Sequence, residues 1–293
     1  MGRYGNAASA EEVARIAGCS EGSVENYTRR CFTAIEALHD LFVWRPTLAQ
    51  KEVEKEWIDR HVGFRGTWRE GWVMFDGTIV VLYKKPGLNG DAYYTRKGNY
   101  GLNAQIGNTP SNLRIVDYSH GMTGSAHDAA AFEHTAAAKY PDWFFEGNEF
   151  AWADSAYAVN SRTIPVHKQP ASLEPVNTLF DKLVAHLRIR SEHCMGALKG
   201  RFQCLRGLRV EINSKRDHDM ACRWITNSII LHNLIIDVEG SKFADYFQDD
   251  HGRIEEENDR GLADEPQSDV LEEGEEKRRQ LVAELVAFRD MQD

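Results

Sequence analysis

A carboxylate stands in the middle of an apolar, β-branched run, Val73-Met74-Phe75-Asp76-Gly77-Thr78-Ile79-Val80-Val81. The composition of Val73 to Tyr83 predicts a strand, interrupted at Asp76-Gly77. An acid in such surroundings costs several kcal/mol unless it is paired or holds a metal. A second acid repeats the situation: Asp154 closes the apolar segment Ala151-Trp152-Ala153. Two acids on central strands become near neighbours, and their repulsion asks for a cation between them. Oxygen-only ligands suit Mg²⁺ or Mn²⁺ rather than zinc.

The rest of the chain must supply a sheet to carry these acids. Its 293 residues can bury a sizeable core in one or two domains. No apolar run approaches the ~18 residues of a membrane span. The best candidate, Ile225 to Ile236, carries Thr226, Asn227, Ser228, His232 and Asn233. The start of the chain has no apolar signal-peptide core, and Asn6 departs from the myristoylation pattern that Gly2 begins. The five cysteines, at 19, 31, 194, 204 and 222, form no CxxC pair, as suits a reducing compartment. These features argue against a secreted or membrane protein.

The net charge of -10 conceals an uneven distribution. Residues 237–293 hold 19 acidic and 7 basic side chains, which leaves the body with 26 acidic and 28 basic ones. The body can therefore present basic faces to a polyanion, while the tail repels one or covers those faces.

Three zones follow. Residues 1–45 read as a helix-turn-helix-like DNA-binding segment: Ser9 caps a helix ended by Gly18, and Ser20 caps a second helix carrying Arg29 and Arg30. An ordinary helical hairpin has the same parts. The zone from about 41 to 236 is mixed, with the sheet-bearing unit over 70–237. Strands are expected at Asn99–Ile106, Asn112–Ser119 and Glu149–Asp154, and a helix at His127–Thr135 capped by Ser125. Further helices are expected from Leu173, from Glu192 and over Asp217–Asp237. That order implies an α/β layer architecture. Residues 238–293 read as an acidic, disordered tail up to about 276, followed by a terminal helix whose stripe is Leu281, Leu285, Val286 and Phe288.

Glu192 joins the two acids as a candidate, flanked by Arg188 and Arg190. Residues 180–216 hold nine Lys and Arg against three acids. On a helix from Glu192, Gly196, Lys199 and Gln203 share a face. Lys199, Arg201 and Arg206 are candidate phosphate contacts, as are Arg96 and Lys97 beside Tyr93, Tyr94 and Tyr100. Carboxylates that bind metal, surrounded by phosphate-binding bases, fit phosphodiester chemistry.

Five strings in order now carry a resemblance. They are Phe75-Asp76-Gly77-Thr78; Tyr94-x-Arg96-Lys97-Gly98-x-Tyr100-Gly101-Leu102-Asn103-x-Gln105; Gly124-Ser125-x-His127-Asp128-x-x-x-Phe132; Ala153-Asp154-Ser155-x-Tyr157; and Arg190-Ser191-Glu192-His193-x-x-Gly196-x-Leu198-Lys199-Gly200-Arg201-Phe202. Together with Leu231-His232-Asn233, they resemble a PIF/Harbinger-type DDE transposase over about residues 5–237. The resemblance implies a metal-binding catalytic triad of Asp76, Asp154 and Glu192. It also implies an RNase H-like mixed five-stranded sheet flanked by helices, a Myb-like DNA-binding partner and action in the nucleus. The expected activity is a metal-dependent endonuclease and strand transferase, working as a homo-oligomer on DNA. The alternatives are a domesticated, non-catalytic DNA-binding protein, and a tail that docks a partner. Asp128, with His127, is assigned a supporting role behind the metal ligands, since Ser125 and Asp128 have capping-box-like spacing. Cys194, Cys204, His218 and Cys222 match no zinc-finger spacing. His232 and Asn233 read as satisfied polar groups of the core.

Overall fold

The computed structural model describes residues 8–240 and 268–291. Ser9 and Glu12 form a reciprocal capping box that opens α1 (Ala10–Ala17), and Gly18, at φ 66, closes it. Ser20 caps α2 (Glu21–Glu36), as expected. The second half of α2 docks on the body. Phe32 lies edge-on to Trp224 at 4.8 Å, and Arg223 grips Glu36 through two bonds of 2.7 and 2.8 Å. After the single turn α3 (His39–Phe42) comes α4 (Leu48–Val62), a helix not expected from the sequence. Its buried face mixes Ile58 and Val62 with Lys51 and Glu54, which hides the apolar periodicity.

Five strands follow the order β3-β2-β1-β4-β5. They are β1 (Gly71–Val81), β2 (Gly101–Asn108), β3 (Ile115–Thr123), β4 (Phe150–Ala153) and β5 (Thr163–Pro165). β1 pairs antiparallel with β2, and β2 with β3, whereas β1–β4 and β4–β5 are parallel. The expected break at Asp76-Gly77 does not occur. Asp76 pairs with Ile106 and Gly77 with Gln105 in an unbroken ladder.

Between β3 and β4 the chain makes three short helices, α5 (Asp128–Phe132), α6 (Ala136–Lys139) and α7 (Pro141–Phe144), where one helix over His127–Thr135 was expected. His127, not Ser125, holds the cap position of α5, and no side chain caps it. Thr135 is extended and accepts from the Ala138 N–H, so it begins α6 rather than continuing α5.

α8 (Pro175–Arg201) is one helix of 27 residues where two were expected. No proline or glycine interrupts it between Pro175 and Gly196, so Glu192 lies within the helix and does not open it. α9 (Lys215–Glu239) is capped by Ser214. On it, Asn233 bonds both the N–H and the C=O of Ile115, and His232 meets the Leu113 carbonyl at 2.9 Å. Asn233 is a satisfied core group, as expected, and His232 is bonded through Nε2. α8 and α9 pack Leu198, Ile225 and Ile229 against Val80, Leu102 and Ile106. The other face of the sheet buries Val73, Phe75 and Ala151 beneath Phe132 and Phe144. The result is an α/β fold of RNase H-like type: a mixed five-stranded sheet flanked by helices, preceded by a helical segment.

The disorder expected up to residue 276 is corrected in part. Residues 241–267 lie outside the described residues, but α10 runs from Ser268 to Asp290. Its apolar stripe is already used within the chain. Leu281 and Leu285 join Ile58, Trp68, Trp152 and Phe180 in one core cluster, and Phe288 packs on Phe64 at 4.8 Å. Trp68 Nε1 donates to the Leu281 carbonyl at 2.8 Å. Lys277 Nζ reaches the carbonyls of Asn148 and Ser161, each at 2.7 Å.

Glu54, 4% exposed, accepts from Ser111 N–H at 2.9 Å and Ser111 Oγ at 2.6 Å. Burial raises its pKa from 4.5 to about 7, against the pull of those bonds. A carboxyl raised in the folded state makes the fold hold a proton that the unfolded chain releases. Stability should therefore fall as pH rises from 4.5 to about 7. Gln at this position keeps an acceptor for Ser111 without the charge. Glu54→Gln is thus expected to flatten the fall in melting temperature across that window, and an unchanged slope would refute the assignment.

Candidate active site

The register of the two parallel strands brings the acids together. Met74 of β1 is paired with Trp152 of β4. Asp76 and Asp154 each follow that pair by two residues, so both point to the face that carries α8. The backbone then fixes each carboxylate. Gly77 N–H donates to Asp76 Oδ1 at 2.9 Å, and Ala156 N–H donates to Asp154 Oδ1 at 2.8 Å. Arg188 reaches over both from α8: its Nη2 lies 3.3 Å from Asp76 Oδ1 and 3.8 Å from Asp154 Oδ2.

Burial raises the Asp76 pKa to about 7; Arg188 opposes the rise and Asp154 adds to it. Two acids that face one cation form a donor set suited to a hard divalent ion. Glu192 is one helical turn beyond Arg188 and on the same side of α8. Its side chain reaches solvent, and partial desolvation on the α8 surface raises its pKa while Arg188 lowers it. The structure does not bring it into one cluster with the pair, and no three acid, His or Cys groups among the described residues are placed to hold a metal ion.

Asp128 lies behind the strand that carries Asp76. Its Oδ1 accepts from Asn103 Nδ2 and Gln105 Nε2, both at 2.8 Å. Gln105 in turn accepts the Tyr157 hydroxyl. Gly77 makes this possible, because a Cβ there would stand 2.4 Å from Asp128 Oδ1. The motif Asp76-Gly77 thus offers a carboxylate to one face and room to the other. Asp128 buttresses the strand through this network and not through a capping box with Ser125. His127 beside it is exposed.

The basic candidates divide. Lys199 Nζ donates to Thr78 Oγ1 at 2.6 Å and the Ile79 carbonyl at 2.7 Å, tying α8 to β1, and burial lowers its pKa to about 8. Arg201 is held by Glu239 through bonds of 3.1 and 2.9 Å. These two brace the helices that carry the site. Arg206 belongs with Gln203 to a separate helical turn after α8, so the shared helix face expected for Gln203 ends at Lys199. Arg206, Arg96 and Lys97 are exposed, and Arg206 and Lys97 both act electrostatically on Lys199. Arg29 pairs with Glu25 at 3.2 Å on α2, and Arg30 is exposed there. All five cysteines are free thiols.

In the sequence, Arg188 stands out only as a base flanking Glu192. Its place four residues before Glu192 was the available signal, since residues four apart share a helix face. Asn103 and Gln105 stood in a quoted motif, but their contact with Asp128 depends on strand pairing and so could not be read from spacing.

A profile of the family described as DDE superfamily endonuclease matches residues 75–233. The match spans more than half of the 293-residue chain and takes in Asp76, Asp154 and Glu192. The chain belongs to the DDE superfamily endonuclease family. No curated protein and no solved structure matches it.

Proposed function

We propose that this chain is a PIF/Harbinger-type DDE transposase that uses Mg²⁺ or Mn²⁺ to cut and join DNA phosphodiester bonds. The observation that carries the reading is the pairing of Asp76 and Asp154, aligned on adjacent parallel strands around one cationic group. Asp76 and Asp154 would hold the metal, and Glu192 would complete its ligands from α8. The bound cation would make water, and later a 3′-hydroxyl, acidic enough to attack and would offset charge on the leaving oxygen. The chain's own contribution is orientation: the Gly77 and Ala156 amides fix the two carboxylates before substrate arrives. Arg96, Lys97 and Arg206 are assigned to DNA phosphates beside the acids, and Arg29 and Arg30 to the DNA alongside α2. The enzyme would act in the nucleus as a homo-oligomer on DNA, with a Myb-like protein supplying further recognition.

The test is cleavage of a duplex that carries the element ends flanking the coding sequence. Cutting is expected with Mg²⁺ or Mn²⁺, to give 3′-hydroxyl ends, and none is expected with a chelator. Equal cutting with and without the chelator, or none with either metal, would refute the proposal.

A further inference from the structure

Arg188 bridges the acid pair in an unusual way. Two arginines that brace this fold use two nitrogens on one carboxylate. Arg223 holds Glu36 at 2.7 and 2.8 Å, and Arg201 holds Glu239 at 3.1 and 2.9 Å. Arg188 instead shares a single nitrogen between two acids, at 3.3 and 3.8 Å. Its Nε is buried without a hydrogen-bond partner. A fork that is matched to neither carboxylate gains little of the directional strength that makes Arg–carboxylate pairs strong. It supplies charge to the site but is not locked there.

We propose that Arg188 is a resident counter-ion of the Asp76–Asp154 pair, which holds the two carboxylates together in the metal-free protein and yields its position when a divalent cation binds. The proposal rests on the metal site inferred above. Two half-buried acids that share one cationic partner need a positive charge to stay ionised together. Arg188 provides one charge through long contacts, and a divalent cation provides two, so the cation wins the competition at a cost set by Arg188. The side chain starts from α8, whose two ends are packed into separate core clusters, through Phe180 and through Leu198. The exchange therefore involves the side chain and leaves the helix in place. Arg188 thereby sets the metal concentration at which the site fills and keeps the acids aligned below it.

Calorimetric titration of the full chain with Mn²⁺ alone tests this, with melting temperature followed with and without Mn²⁺. Arg188→Gln keeps a polar head and removes the charge. It is expected to bind Mn²⁺ at least about tenfold more tightly, to melt lower than wild type without metal, and to gain more on adding it. Arg188→Lys should fall between the two in both readouts. Asp76→Asn, alone and combined with Arg188→Gln, identifies the site being filled. If wild type binds Mn²⁺, Asp76→Asn abolishes it and Arg188→Gln binds no more tightly, the counter-ion role is overturned and the metal site stands. If wild type shows no binding but Arg188→Gln gains binding that the double variant loses, the role is supported in its strongest form. Binding in neither overturns both.

Discussion

Asp154→Asn is expected to leave the protein folded and to lower DNA cleavage by at least about a thousandfold. The Ala156 amide can still bond to an Asn side-chain oxygen, so the turn after β4 keeps its shape. What is lost is one of the three carboxylate charges proposed to hold the metal. Asp76→Asn should behave alike. In the metal-free protein above pH 7 its melting temperature should stay level or rise, because burial disfavours the charged carboxylate it replaces. Glu192→Gln should also fall by orders of magnitude if Glu192 completes the ligand set from α8. Asp128→Asn should retain substantial cleavage, since an Asn oxygen can accept the same bonds from Asn103 and Gln105. Single-turnover cleavage and melting temperature, measured on all four in one buffer, decide the matter. An active Glu192→Gln beside an inactive, folded Asp128→Asn would transfer the third ligand to Asp128.

The largest expected effect on stability lies in the core beneath the sheet, at Leu281. Leu281→Ala should cost about 2–5 kcal/mol in urea unfolding. Its side chain is fully buried among Trp68, Trp152 and Phe180, which cannot close the gap without moving the sheet. Arg279→Ala, on an exposed position of the same helix, should change stability by no more than about 0.5 kcal/mol. Gly274→Ala tests the same docking from another side. Its Cβ would lie 2.5 Å from the backbone of Asn160, which a rotamer change cannot relieve. If Leu281→Ala melts like wild type, α10 is not part of the core. With Leu281 and Leu285 in the core, the acidic segment is not a removable tail: deleting everything after residue 237 would strip a helix from the hydrophobic core along with the charge.

The acids were legible because they break a pattern. Asp76 and Asp154 interrupt apolar runs, and such an interruption can be seen without knowing which strands are neighbours. The helix caps at Ser9 and Ser20 were legible because capping is local. α4 was not, because Lys51 and Glu54 occupy its buried face. Lys51, 1% exposed, finds Glu149 at 2.6 Å across 98 residues, a partner no local pattern can reveal. The same holds for Asp128 and for Arg188, whose partners lie on other strands. No residue before Glu192 breaks the helix, so the helix expected to start there is the second half of α8.

The unbroken length of α8 has a consequence for how this protein can vary. Phe180 and Val184 in one core cluster, Arg188 over the acids, Glu192 one turn further on and Lys199 on β1 all take their direction from a single helical phase. Inserting or deleting one residue between Val184 and Arg188 would turn Arg188, Glu192 and Lys199 together by about 100°. The loop between β5 and α8 can change in length without that penalty. Among related chains, this helix should therefore accept substitutions freely on its outer side while its residue count from Phe180 to Lys199 stays fixed.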